Sequence, residues 1–290
     1  RVIFGLAPKI NAAGRIHHGK LAVELLTEDD ENIALELAKQ LFEQNETRKM
    51  QDALVTQEAI DILNEKDPGQ KLNSSVVFKE GWHKGVLGIV ASRLIETFYK
   101  PAIVLTKGEE YISGSARSIE GFNIYEAISG CKEYLVRFGG HPSAAGLTMK
   151  PEAMEGFARK FEKIVSQTLL PEYQAPRFII DLEIQPEIID ISFFKTISRM
   201  EPFGHGNPEP VFLSRNVSLH PASKIVGDEH VRFVFKIGTQ KFIPGIGFNL
   251  KEKFTEIEPG SKLDIVYTIG ENEWNDQKTL QLKIIDFRTA

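Results

Sequence analysis

Two strings in this chain combine residue types that can grip and orient a phosphate. Phe138-Gly139-Gly140-His141-Pro142-Ser143-Ala144-Ala145-Gly146 sets a glycine pair, which lets a ligand come close to the backbone, before an imidazole and a run of small residues. Such a loop can present amide N–H groups and His141 to a phosphate. Taken alone, it also reads as a tight turn with a structural histidine. In Tyr111-Ile112-Ser113-Gly114-Ser115-Ala116-Arg117-Ser118, strand alternation puts Ser113, Ser115 and Arg117 on one face. A guanidinium flanked by hydroxyls suits two-point capture of a phosphate. Asn11-Ala12-Ala13-Gly14-Arg15 repeats the theme of small residues beside an Arg, with a helix-packing turn as the plain alternative. Trp82-His83-Lys84-Gly85 precedes an apolar helical stretch that runs to Arg93, and the N-terminus of that helix could face an anion.

Other strings imitate sites without the spacing to make them. Gly85-Val86-Leu87-Gly88 mimics a GXXG nucleic-acid loop, but its two middle residues are apolar where such a loop is polar. His17 and His18 are adjacent, so their side chains diverge on a helix or a strand and cannot both chelate one ion. His141 and Ser143 lack the nucleophile elbow of a hydrolase. Cys131 sits among apolar neighbours in a helical pattern and reads as core; as the single cysteine it excludes a disulfide framework and suits a reducing cytoplasm.

The elements that would position these groups fall into three segments. Residues 1–71 carry a net charge of −4, residues 72–170 carry +2 and residues 171–290 carry −3, within a chain of 290 residues and net −5. Bulk electrostatic capture of duplex DNA is thereby excluded, and any nucleic-acid contact must be local. The central block has no Asp, so a two-metal centre is not expected there. Residues 31–66 predict one long, mostly polar helix stopped by Asp67-Pro68-Gly69, read as a strut between domains, with an ordinary core helix as the alternative. From Ser74 strands and helices alternate. After Pro176 short strands separated by Gly, Asn and Pro predict a small barrel of the oligonucleotide-binding type. The expected fold is therefore α/β plus all-β: a connecting long helix over 1–71, an α/β domain with a mixed sheet over 72–170, and a β-barrel over 171–290. No apolar run is long enough to span a bilayer, which together with the charge predicts a soluble, cytoplasmic chain with no membrane partner. The start at Arg1, inside an apolar stretch, suggests a piece of a longer protein.

In the last segment Phe233, Phe235, Phe242, Phe248 and Trp274 are candidate platforms for stacked bases, with Phe233, Phe235 and Trp274 chosen as the leading three. Arg232, Lys236, Lys241 and Lys283 are near them in sequence. Glu201-Pro202-Phe203-Gly204-His205-Gly206-Asn207-Pro208-Glu209-Pro210-Val211-Phe212 reads as a rigid connector into the barrel.

Taken in order, NAAGR, WHKGVLGIVASRL, SGSARS, GGHPSAAG and EPFGHGNPEPVF resemble the C-terminal part of the RecJ family, within the DHH phosphoesterase superfamily, over essentially the whole chain. The resemblance implies the end of a catalytic domain with a connecting helix, a DHH-associated α/β domain and an OB-fold. It implies 5′-to-3′ exonuclease activity on single-stranded DNA in repair and recombination. The two ions, Mn2+ or Mg2+, would be bound by an N-terminal domain that this chain lacks, so no metal is expected here and the chain alone should be inactive. Ile16-His17-His18 is not the Asp-His-His signature, because Ile stands where Asp is required. In this frame His141 would contact the substrate phosphate, and Asn11, Arg15, Ser113, Gly114, Ser115, Arg117, Ser118, Gly139 and Gly140 would hold phosphates of the strand. The implied partners are single-stranded DNA and a single-strand-binding protein. Two alternatives are a DHH-type phosphodiesterase of short oligonucleotides or cyclic dinucleotides, and a non-catalytic module that binds single strands or proteins.

Overall fold

A computed structural model describes residues 9–11, 14, 19–204, 206–238, 241–258, 260–274 and 277–290, with the backbone but not the side chains of Trp274 and Gln277. The chain divides into two units, Arg1–Arg177 and Phe178–Ala290.

In the first unit a short helix α1 (Lys20–Thr27) precedes the 36-residue helix α2 (Glu31–Lys66). Asp30 starts α2, its Oδ1 accepting the N–H groups of Asn32 and Ile33 at 2.9 and 3.1 Å. Beyond its end, Asp67 accepts from Lys71 and Leu72. The helix lies within the first unit, and both of its halves carry core residues. Its C-terminal half carries Val55, Ala59 and Leu63 into a core shared with Val77, Trp82, Leu87 and Val90, whereas its N-terminal half packs Leu41 beside Ala22 of α1. Trp82, offered by the sequence as part of a ligand loop, is buried and donates Nε1–H to Glu58 of α2 at 2.7 Å. Buried Asp52 of α2 accepts from Arg93 at 2.9 Å, a further tie across the same interface.

Five strands follow: β1 (Ser75–Phe78), β2 (Ala102–Lys107), β3 (Ile112–Arg117), β4 (Leu135–His141) and β5 (Ala144–Met149). They form a mixed sheet in the order β1-β2-β3-β5-β4, with β1 and β2 parallel and the other pairs antiparallel. Helix α3 (Leu87–Phe98) lies between β1 and β2 in sequence, α4 (Ile124–Ser129) precedes β4, and α5 (Met154–Thr168) closes the unit. One face of the sheet packs Leu105, Ala116, Leu147 and Met149 against Ile124 and Ile128 of α4 and Phe157 and Phe161 of α5. On the other face, α3 and the end of α2 cover Val77, Ala102 and Val104, toward the β1–β2 side. Cys131 is in the first of these cores, and burial pushes its thiol up to about 11, so it stays protonated.

The second unit comprises β6 (Leu182–Glu183), α6 (Ile191–Ser198), β7 (Phe212–Leu219), β8 (Lys224–Val226), β9 (His230–Ile237), β10 (Lys241–Gly247), α7 (Lys251–Thr255), β11 (Lys262–Trp274) and β12 (Gln277–Thr289). The strand order is β6-β7-β11-β12-β10-β9-β8, and β9 returns to pair with the end of β7 through Ser218↔Lys236 and Leu219↔Phe235. Five strands thus curl into a partly open barrel with β10 parallel to β12, the Greek-key arrangement of an OB-fold. Alternation sends Val231, Phe233, Phe235 and Ile237 inward, onto Leu263, Ile265 and Leu282. Gly247 of β10 makes room for them, since a Cβ there would meet the Phe233 ring at 2.8 Å. Inside the barrel the Tyr267 hydroxyl pairs with Ser214 Oγ at 2.7 Å. Burial pushes its pKa up to about 12.

Candidate nucleic-acid interface

Helix α3 packs over β2 and against the Ser115–Arg117 end of β3, and leaves β5 and β4 uncovered by core side chains on this face. The register decides which residues pave it. Arg117 is opposite Ala144, which is opposite His141; Ser115 is opposite Gly146, which is opposite Gly139; Ser113 is opposite Thr148, which is opposite Arg137. Directly paired residues point to the same side of a sheet, so these nine share one face. Arg117 and His141 are two strands apart in one row, a span of about 10 Å.

The middle row is Ser115, Gly146 and Gly139, and both glycines are exposed. A Cβ at Gly139 would meet nothing within 4 Å, and one at Gly146 only the Gly114 carbonyl oxygen at 3.9 Å. Neither glycine is forced by a contact within the described residues. Both leave the floor of the face open.

The Arg117 guanidinium is held in place at the edge of this floor. Its Nη1 donates to Ser115 Oγ at 3.1 Å and to the Ala116 carbonyl at 2.8 Å. A Cβ at Gly88 on α3 would lie 2.6 Å from Arg117 Nη2, so glycine is what allows the first turn of α3 to pass beside the arginine. Lys84, Gly85, Gly88, Ser92, Ser115 and Arg117 line a cleft of about 380 Å³ at this point. The first turn of α3 and the Arg117 guanidinium therefore border one small volume, whereas the Lys84 ammonium reaches toward Gly108 in the β2–β3 turn.

Of the residues singled out in the sequence, Ser113, Ser115, Arg117, Gly139 and His141 come together on this face. Gly114 and Gly140 do not. Gly114 turns to the core side, where a Cβ would strike Leu105 at 2.4 Å, and Gly140 adopts φ 155° so that the hairpin can close against the Ala144 carbonyl. Ser118 spends its hydroxyl on the Phe122 carbonyl at 2.6 Å and its N–H on the Ser143 carbonyl, joining the end of β3 to the hairpin turn. Asn11 is exposed on a helical turn. Arg15, His17, His18 and His205 lie outside the described residues. The glycine string is also not the loop that was expected: Gly139, Gly140 and His141 are strand residues, with Pro142 and Ser143 alone making the turn. Arg137 and Thr148 were missed, and period-2 counting back from His141 along β4 would have found Arg137.

In the barrel two of the three chosen stacking platforms are corrected. Phe233 and Phe235 are fully buried and stacked on one another, 5.4 Å between centroids, because they occupy inward positions of β9. Trp274 falls where side chains are not described. Phe242 and Phe248 are exposed, each edge-on to a histidine, His220 and His230 respectively. Phe242 pairs with Lys236 across β9 and β10. Lys224, Arg232, Ile246 and Lys283 form one cross-strand row over β8, β9, β10 and β12; Lys283 is ion-paired to Glu209 at 3.6 Å, so the basic track of the outer face beside Phe242 is Lys224, Arg232 and Lys236. Lys241 is not part of it, since its ammonium donates to the Ile189 carbonyl. Arg215 and Arg288 are engaged by Asp264, and Arg215 also by Glu183.

Among the described residues no group of three or more His, Cys, Asp or Glu side chains could hold a metal ion, and no helix is long and apolar enough to cross a membrane.

Comparison with known proteins places these two units. Residues 69–167 match the DHHA1 domain and residues 180–286 the RecJ OB domain. The single-stranded-DNA-specific exonuclease RecJ of Bacillus subtilis (strain 168) is 39% identical over 286 residues, covering 98% of this chain and 36% of that protein. The RecJ of Salmonella typhimurium is 30% identical over 295 residues, covering 98% of this chain and 50% of that one. The crystal structure of RecJ in complex with Mg2+ from Thermus thermophilus matches with a TM-score of 0.82 at 25% identity, over 100% of this chain and 43% of its own; the Mn2+ complex gives 0.80. This chain therefore spans half or less of the length of these relatives.

Proposed function

We propose that this chain, which belongs to the RecJ family and comprises its DHHA1 and OB portion, is the substrate-holding part of a 5′-to-3′ exonuclease for single-stranded DNA. The observation that carries the reading is the row Arg117–Ala144–His141 above an open glycine floor, with Ser115 beside Arg117. Arg117, steadied by Ser115, holds a phosphate at the cleft by α3. His141 faces the same phosphate or its neighbour from the other side of the floor. The outer face of the barrel is a second surface for single strands, with phosphates along Lys224, Arg232 and Lys236 and an unpaired base against Phe242.

The relatives solved with Mg2+ and Mn2+ point to divalent ions in the complete enzyme. We assign those ions to a domain outside this chain, as the resemblance implies. What this chain contributes is alignment. Fixing the scissile phosphate relative to a nucleophile supplies a large share of the rate, because bimolecular encounter is replaced by a held geometry. The OB unit also sets this reading apart from a phosphodiesterase of dinucleotides, which has no need of a second surface for a long strand.

The 290-residue chain alone is expected to bind a 5′-phosphorylated single-stranded oligonucleotide and, with Mn2+ added, to release no nucleotides. With about four phosphates neutralised, log affinity should fall with log salt at a slope of about −3. Fluorescence anisotropy over a salt series and a gel assay for cleavage test this. Salt-independent binding, or robust cutting by the pure chain, overturns it.

A further inference from the structure

Arg137 has no part in the holding of the phosphate just described, yet it is on the same sheet face. It is on β4 opposite Thr148, which is opposite Ser113, in the row two positions beyond the glycines from His141. It is exposed, and no carboxylate among the described residues pairs with it. By contrast, the next acidic group upstream, Glu133, is engaged by Lys160 of α5.

Its distance from the phosphate site follows from strand geometry. Four residues along β4 separate it from His141, about 13 Å. An extended single strand covers that span in about two nucleotides. Between the two rows are Gly139 and Gly146, where nothing rises from the floor, so a strand lying along β4 and β5 reaches Arg137 without obstruction.

We infer that Arg137 is a phosphate-positioning residue, gripping the backbone two nucleotides along from the phosphate held in the Arg117–His141 row and so fixing the direction in which the strand crosses the sheet. The inference rests on the proposed function and extends it. A positive charge on an edge strand also discourages pairing with another sheet. That role would be blind to which phosphate of a ligand carries charge, and the test uses this difference.

The probes are single-stranded oligothymidylates with a 5′-phosphate, each with one internal phosphate replaced by an uncharged methylphosphonate, titrated into the 290-residue chain. Arg137→Gln should weaken binding of the unmodified strand about tenfold, and Arg137→Lys should restore most of the loss. For the wild type, neutralising one particular phosphate should cost the same factor, and Arg137→Gln should be insensitive to that substitution alone. Arg117→Ala should be insensitive at a different phosphate, two nucleotides away. If Arg137→Gln binds every probe as the wild type does while Arg117→Ala is impaired, the inference is wrong and the proposed function stands. If Arg117→Ala is also unimpaired, the reading beneath it fails and the inference with it.

Discussion

Gly146→Val is expected to fold at least as well as the wild type and to bind single strands about 100-fold more weakly. The two halves of that expectation have separate causes. Position 146 is a strand residue whose added Cβ meets only a carbonyl oxygen at 3.9 Å, an ordinary contact. Glycine within a strand is a conformational cost of about 0.5–1 kcal/mol relative to alanine, and valine favours strands, so thermal unfolding should move up slightly or stay where it is. The valine methyls would rise from the middle row of the floor, between Ser115 and Gly139 and next to the row that holds Arg117 and His141. Lifting a phosphodiester off two charge-assisted contacts forfeits about 3 kcal/mol, which is about 100-fold. A melting curve and an anisotropy titration on the same preparation check both halves. Unchanged binding would mean that the strand does not cross the glycine row.

Arg117→Ala carries an expected loss of similar size by another route. The guanidinium offers two parallel N–H groups, and its orientation is already set by Ser115 Oγ and the Ala116 carbonyl, so little entropy is lost when a phosphate binds. Removing it should lower affinity for a 5′-phosphorylated strand about 100-fold, and the Ser115 hydroxyl and the Ala116 carbonyl that it leaves are acceptors that water can satisfy. Lysine should not restore binding, since an ammonium lacks the planar fork and cannot donate to Ser115 and a phosphate in the same geometry. In the complete enzyme the same substitution should lower kcat/KM by a comparable factor. A variant with wild-type kinetics on 5′-phosphorylated single strands would take Arg117 out of the site.

Much of this site was legible in the sequence because strand alternation is a local property. Ser113, Ser115 and Arg117 needed only a period of two to be put on one face, and β3 has it. The glycine string was harder. Two glycines and a proline around a histidine carry turn propensity, and only pairing with β5 across the hairpin makes Gly139 to His141 a strand; that pairing is tertiary, and propensity cannot supply it. The same limit hid Arg137, whose face is known only once β4 is known to be a strand. It also hid the split roles of the glycines: Gly114 and Gly140 serve packing and Gly139 and Gly146 leave space, a distinction that depends on what lies opposite each. In the barrel the alternation of β9 was readable, but not which of its two faces closes inward. Phe233 and Phe235 therefore looked like platforms, whereas the closing of β9 onto β7 makes them core and leaves Phe242, on the neighbouring strand, and Phe248 exposed. The long helix was correct in extent, from Glu31 to Lys66, yet its role depended on Trp82, Asp52 and their partners, contacts distant in sequence.

The central claim is that a single strand lies on the face shared by β3, β5 and β4. It is tested most directly by the backbone amide shifts of the isotope-labelled 290-residue chain during titration with a 5′-phosphorylated single-stranded octamer. The account predicts that, within the first unit, the largest changes fall on residues 113–117, 139–141 and 144–148 together with Gly85 and Gly88. Changes that leave those residues still while a different surface of that unit responds would contradict it.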